Sequence, residues 1–271
     1  MTIWLIDDYL TERHYDCGYP TLADAALSAG YEVRRVKYVP FAPIQDIDIP
    51  EGSCVVTHGT VQFCRKVEAK YGRLWTPAMY FNANVKSFHK FATHLGDDLM
   101  NSDYYIIPWQ EVVRRRLTDV FVKPLSGLKD FVGQVITDCD YDIQPNDPID
   151  PECLCVVSAK KDIQAEFRYV ISERKVITGS EYRWDNVLDV RSDTLPICDE
   201  LAWKIAESEW QADTVYVCDV ALLAEGSAKV VELNAFSSSG LYACDTNKIV
   251  AAVSLAAERE HGMVAEDHTR L

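Results

Sequence analysis

The segment TVYVCDVALLAEGSAKVVELNAF (214–236) constrains this chain more than any other. Two apolar runs flank AEGS (224–227), a short glycine-containing turn, and that is the pattern of a β-hairpin. Residues i and i+2 of a strand share a face, so Glu232 and Asn234 point the same way. With Glu225 and Gly226 as the turn, Asp219 stands opposite Glu232. A slip of one residue at each side sets it opposite Asn234 instead. Either register gathers three oxygen-bearing side chains amid apolar neighbours. An uncompensated buried carboxylate is costly, so the fold must supply a cation, a donor network or water. Two carboxylates and an amide oxygen are hard ligands that suit Mg²⁺ far better than Zn²⁺, and Mg²⁺ keeps open positions for phosphates. The pattern therefore points to a nucleotide triphosphate site; the plainer alternative is the solvated outer face of an edge hairpin.

Elsewhere the chain divides by pattern. The first hundred residues alternate: TIWLID (2–7) reads as a strand, TLADAALSAG (21–30) as a helix, YEVRRVKYV (31–39) as a strand. SCVVTHG (53–59) is a buried strand leading into a helix at 61–71, and PAMYF (77–81) reads as another strand. Such alternation favours a small parallel sheet with helices on its faces. NVKSFHKFATHLG, from Asn84 to Gly96, has the spacing of an amphipathic helix. YYIIP (104–108) is strand-like and WQEVVRRRL (109–117) helical. Strands then dominate, at 119–125, 153–159, 164–171 and 175–182. A helix at 198–210 precedes the hairpin, and a closing helix spans about 246–260. The acidic, proline-rich DCDYDIQPNDPIDPE (138–152) reads as a loop or linker between lobes.

Composition narrows the class of partner. Lys and Arg number 27 against 42 Asp and Glu, a net charge of −15, which argues against nucleic acid and anionic membrane as partners. The basic runs RRVK (34–37) and RRR (114–116) read as solvated faces. No apolar run reaches the ~20 residues of a membrane span, and MTIWLIDDYL lacks the basic start of a signal peptide. Nine cysteines without framework spacing suggest reduced thiols and a cytoplasmic location. Cys153 and Cys155 have no second Cys/His pair at metal-site spacing and read as core residues.

Basic residues on other strands complement the acidic cluster. Lys123 ends the apolar run VFVKPL, Arg168 interrupts AEFRYVI, and Arg183 follows GSEY. Alone, each reads as a snorkelling surface residue; converging on the hairpin, the three would form an anion pocket. His58, at the end of VVTHG, is a candidate substrate contact, with loop capping as the alternative. No Ser/His/Asp or Cys/His arrangement suggests a covalent nucleophile.

VFVKP, AEFRYVISERKVITGSEYR and VCDVALL…KVVELNAFSSSG, in this order over residues 84 to 255, resemble the ATP-grasp superfamily. ELNAFSSSG is similar to the Glu-x-Asn-x-(S/P)-x-G segment of carboxylate–amine ligases such as the ribosomal-protein glutamate ligase. The spacing of EFR and SEYR resembles a compact phage and bacterial clade named for an Arg and two Lys. The resemblance implies an α+β ATP-grasp fold, two α+β lobes gripping ATP, preceded by a small βα parallel-sheet domain. It sets that domain at 1–83, the N-lobe at 84–150 and the C-lobe with its Mg-ATP site at 151–271. It further implies Lys123 on the α- and β-phosphates and Lys86, a looser match, as the other phosphate lysine. Backbone groups around Cys155, Val156 and Val157 would hold adenine. Asp219, Glu232 and Asn234 would be Mg²⁺ ligands, and Arg168 and Arg183 would steady the γ-phosphate and acyl phosphate.

The sequence departs from the family in two places. NAFSSSG stands where many relatives have a glycine-rich segment that often touches the acyl substrate, and LSGLKDFVGQ (125–134), with Gly127 and Gly133, is the only candidate for a phosphate-covering loop. The implied function is ATP-dependent ligation of a carboxylate to an amine through an acylphosphate, on an amino acid, peptide or protein. The cofactors would be ATP and Mg²⁺. The partners would be small-molecule or peptide carboxylates and amines, and the oligomeric state stays open. A phosphotransferase on the same fold and an inactive nucleotide-binding interaction module are the alternatives.

Overall fold

Thr2–Asp7 (β1) is buried at all six positions because it runs between two parallel neighbours, Glu32–Val36 (β2) and Cys54–His58 (β3), in the order β2-β1-β3. A strand covered on both faces and both edges reads as a continuous apolar run. The computed structural model describes residues 1–11, 15, 17–39, 42–72, 79–82, 87–126, 130–138 and 149–268. One helical turn, Asp8–Thr11 (α1), follows β1. Leu22–Ser28 (α2) begins at Thr21, whose hydroxyl accepts from the Asp24 N–H at 3.1 Å. Val61–Tyr71 (α3) begins at Thr60 in the same way, at 3.2 Å from the Phe63 N–H. Both caps satisfy a donor that the first helical turn leaves unpaired.

The expected strand at 77–81 is corrected in part. Residues 77 and 78 lie outside the described residues, and Met79–Phe81 is irregular, folded back through a bond from the Phe81 N–H to the Met79 carbonyl. Its side chains are still buried. An apolar run can serve a core without joining a ladder.

Phe88–Leu95 (α4) carries four buried residues and stops at Gly96, φ 52°. A four-stranded antiparallel sheet follows, built from Tyr105–Pro108 (β4), Val120–Pro124 (β5), Gln134–Ile136 (β6) and Leu154–Ala159 (β7), ordered β4-β7-β5-β6. Trp109–Arg115 (α5) links β4 to β5 and buries Val112 against Val122, Ile136, Cys155 and Val157.

The larger sheet is antiparallel, ordered β10-β9-β8-β11-β12. Its strands are Ile163–Ser172 (β8), Lys175–Trp184 (β9), Val187–Arg191 (β10), Val215–Leu223 (β11) and Ala228–Ala235 (β12). One face, with Phe167, Tyr169, Cys218, Val220 and Leu233, packs with α4 and Pro196–Glu207 (α6). The other face begins apolar, where Val170, Val215 and Val217 meet Thr246–His268 (α7), and that cluster continues into Trp4 and Ile6 of the first sheet and Ala26 of α2. Trp4 Nε1 donates to Ser254 Oγ at 3.0 Å, and Thr2 Oγ1 to Glu258 Oε1 at 2.6 Å. The last helix thus covers the first strand. Among the described residues no helix is long and apolar enough to cross a membrane.

β6 and β10 were not apparent in the sequence. β6 has three residues, of which Ile136 alone is buried, and β10 sits at a sheet edge with Val187 and Leu188 exposed, so neither has the repeated buried positions that set a two-residue period.

Candidate active site

The β11–β12 hairpin turns through Ala224–Gly226, closed by the Leu223 N–H on the Ser227 carbonyl at 2.9 Å. Gly226 has φ 91°, the left-handed residue that a three-residue loop built on a type I turn requires. Next to the loop the pairs are Leu222↔Ala228, Ala221↔Lys229 and Val220↔Val230; a bulge then intervenes, and Asp219 pairs with Glu232. The expected opposition is therefore reached by a longer loop and an extra residue. Val231, the residue bypassed, packs with Met100, Ala221 and Leu223.

Arg168 is the register partner of Asp219 on β8. Its Nε donates to Asp219 Oδ1 at 2.8 Å, Nη2 to Oδ2 at 2.7 Å, and Nη1 to the Gly240 carbonyl at 2.8 Å. The Asp219 side chain is 2% exposed and that of Arg168 11%. Two planar groups joined by parallel bonds are the strongest geometry an ion pair offers. Burial acts against the guanidinium charge, yet Asp219 more than offsets it and holds the Arg168 pKa above its ordinary value. Asn234 Nδ2 bridges the carboxylates, donating to Asp219 Oδ2 at 3.1 Å and Glu232 Oε1 at 2.8 Å. The buried carboxylate thus has both a cation and a donor network.

These side chains fit a hard divalent cation. Three oxygen-bearing side chains lie together, with the Asn234 amide seated between the two carboxylates. Turning its amide about the last side-chain bond would present Oδ1 in place of Nδ2. Among the described residues no cluster of three or more His, Cys, Asp or Glu could hold a metal ion, so this mixed set is the candidate.

Two tyrosines that the sequence did not single out flank Arg168. Its Cζ lies 5.6 Å from the Tyr182 ring centre and 4.9 Å from that of Tyr242. The rings stack on each other at 4.6 Å with 7° between planes. Tyr182 donates to Glu166 Oε2 at 2.6 Å, and Arg183 Nη1 lies 3.2 Å from Glu166 Oε1. Among the described residues Arg183 is thus joined to Arg168 through Glu166 and Tyr182, and its side chain is 45% exposed. Burial raises the pKa of both tyrosines.

Lys123 lies on the other sheet, its Nζ 4.7 Å from the Phe88 ring centre and 5.7 Å from that of Phe91. Beyond β5 is a cavity of ≈ 540 Å³ lined by Ser87, Leu125, Ser126, Asp130, Cys153 and Leu154, among others. The loop behind it contains Gly133, where a Cβ would stand 2.8 Å from the Phe121 ring and 3.1 Å from Lys123 Cβ. That glycine allows close packing beside the lysine. Lys86 and Gly127 lie outside the described residues.

Cys155, Val156 and Val157, the expected adenine contact, lie on β7. All three pair with β4 on one side and β5 on the other, so their backbone groups are engaged in the ladders. The ladder ends at Ala159, and residues 160–162 cross to the larger sheet.

His58 is 4% exposed, and its Nε2 donates to the Ser239 carbonyl at 3.0 Å. Burial lowers its pKa to about 4, so the ring is neutral and caps the loop. The neighbouring Gly59 N–H donates to the Ser237 carbonyl at 2.7 Å. The FSSSG segment is therefore gripped by the first sheet at Ser237 and Ser239 and by Arg168 at Gly240. The basic runs are solvated: Arg34 pairs with Glu32, Arg35 with Asp8, and Arg114 and Arg115 with Glu111.

Residues 103–252 match an ATP-grasp domain family, the second family of the clade named for one arginine and two lysines. No curated protein matches the chain. Among solved structures it is similar to the D-cycloserine synthetase DcsG, with 14% identity over 96% of this chain and 100% of that one and a TM-score of 0.59. It is also similar to the ATP-grasp ligase PsnB, solved with a minimal precursor, with 15% identity, 94% and 98% coverage and a TM-score of 0.56. A third is purK, the N5-carboxyaminoimidazole ribonucleotide synthetase in its ADP complex, with 13% identity, 94% and 77% coverage and a TM-score of 0.60. At these identities the likeness is one of fold.

Proposed function

We propose, from the premise that this chain belongs to the second family of the arginine-and-two-lysine clade of ATP-grasp domains, that it is an ATP-dependent carboxylate–amine ligase. The carrying observation is the array on one face of the larger sheet, in which Arg168, Asp219, Asn234 and Glu232 form one bonded chain. Asp219, Glu232 and Asn234 would hold Mg²⁺, which when bound neutralises phosphate charge. Lys123 would meet the α- and β-phosphates from the smaller sheet. Backbone groups around Cys155, Val156 and Val157, with those of the 160–162 crossing where the β7 ladders end, would hold adenine.

In the first step an oxygen of the substrate carboxylate attacks the γ-phosphorus and the bond to ADP breaks, leaving an acylphosphate. In the second an amine attacks the acyl carbon, loses a proton and expels phosphate. Both steps gather negative charge on oxygen. Arg168, held in place by Asp219, and Arg183 at the rim supply donors for it without a covalent protein nucleophile. The FSSSG loop would contact the acyl substrate. Fold relatives solved with a precursor peptide or described as a D-cycloserine synthetase support an amino acid, a peptide or a protein terminus as substrate.

Calorimetry with and without Mg²⁺, on wild type and Glu232→Ala, tests the site. Mg²⁺-dependent ATP binding that weakens in the variant is expected, and absence of nucleotide binding in wild type removes the proposal. Hydroxylamine then separates chemistries: a ligase yields hydroxamate from its acylphosphate, whereas transfer to a hydroxyl releases ADP without it.

A further inference from the structure

Tyr242 has φ 48°, a left-handed conformation that a bulky L-residue adopts only when its surroundings over-determine it. Here they do. The Ala243 N–H donates to Ser180 Oγ at 3.1 Å and the Asp245 N–H to Thr178 Oγ1 at 3.0 Å, which ties the segment to β9. Two residues earlier in the chain, the Gly240 carbonyl accepts from Arg168. Between these anchors the chain turns at Tyr242, whose ring centre lies 4.9 Å from Arg168 Cζ and stacks on Tyr182. The Tyr182–Glu166 bond fixes the second ring.

A guanidinium has five N–H donors, and three are used here, two on Asp219 and one on Gly240. Two remain among the described residues. Where they point depends on the plane of the guanidinium. Asp219 sets one edge of that plane, and the stacked tyrosines restrain rotation about that edge.

We propose that Tyr242 is a positioning residue: its strained backbone and its ring hold the plane of Arg168 so that the two remaining N–H groups are presented to a phosphoryl oxygen. This rests on the ligase reading for its chemistry and on geometry alone for the clamp. A mere packing role would leave catalysis in proportion to stability; a positioning role moves kcat and spares nucleotide binding.

Tyr242→Phe and Tyr242→Gly separate the two. Phenylalanine keeps the ring. Glycine removes it while accepting φ 48° readily, so loss of the ring is offset by relief of strain and the fold is retained. Tyr242→Phe is expected within about twofold of wild-type kcat, and Tyr242→Gly at least about tenfold lower with the Mg-ATP Kd changed less than about threefold. The Arg168 Nε–H resonance, protected by its bond to Asp219 and shifted by the stacked rings, is read in parallel. It should hold in Tyr242→Phe and move in Tyr242→Gly. Unchanged kcat in the glycine variant, a parallel loss of Mg-ATP affinity, or an unmoved resonance overturns the proposal. If wild type binds no nucleotide, the ligase reading fails, and the resonance alone judges the clamp.

Discussion

Replacing Arg168 with Met strands Asp219, and the structure sets the scale of the damage. The carboxylate side chain is 2% exposed and loses two bonds of 2.8 and 2.7 Å. Asn234 still donates at 3.1 Å, but an amide does not neutralise charge. Removing one partner of a buried ion pair costs about 3–5 kcal/mol, and loss of the guanidinium from the tyrosine faces adds about 0.5–2 kcal/mol. For a chain of this size the two together are a fall in Tm of roughly 7–28 °C, at about 2–4 °C per kcal/mol. The double variant Arg168→Met/Asp219→Leu removes the stranded charge along with the pair, and should recover most of the loss, because an apolar pair of similar bulk is often as stable. Urea unfolding of wild type, both single variants and the double variant gives the coupling free energy. A single-variant loss under about 1 kcal/mol, or a double variant no better than Arg168→Met, would refute the view that this pair compensates the buried charge.

Other outcomes follow from the same geometry. His58 is held at a pKa of about 4 by burial, below its unfolded value of about 6.5. The unfolded chain therefore takes up a proton first, and stability contributed by the neutral ring is full above about pH 6.5 and lost by about 3 kcal/mol as pH falls to 4. His58→Gln should flatten that part of the stability–pH curve. Gly59→Ala would set a Cβ 2.3 Å from Phe63 Cδ1 and 2.6 Å from Asp7 Cβ. A loss of about 1–3 kcal/mol is expected by urea titration; wild-type stability would mean the β3 end is looser than it stands. Asn234→Asp replaces the bridging donor with a third carboxylate, so its Tm should fall without Mg²⁺ and rise more than that of wild type when Mg²⁺ is added.

The hairpin was legible because its strands are long and its polar residues sit at strand spacing, and the union of Asp219, Glu232 and Asn234 followed. Its route was not: the longer loop and the bulge at Val231 cancel, and a two-residue turn gives the same opposition. That Arg168 would be the partner of Asp219 depends on the register of a third strand joined to the hairpin through α6, which no local pattern sets. Tyr242 left no mark because left-handed backbone is signalled by glycine or asparagine, and here tertiary anchors impose it on a tyrosine. His58 was legible as a choice between two roles, and burial decided it. The run around Cys155–Val157 was legible as a buried strand; that its backbone pairs on both edges depends on β4 and β5, which no local pattern sets.

The covering of β1 by α7 has a consequence in time. Trp4 must wait for Ser254, which the ribosome adds 250 residues later. At about 5–20 residues per second, the first sheet remains without its covering helix for roughly 10–50 seconds of synthesis. The strands at the start of the chain are therefore dependent on its last helix, and a nascent chain cut short before residue 246 would carry Trp4, Ile6 and Ala26 to the chaperones uncovered.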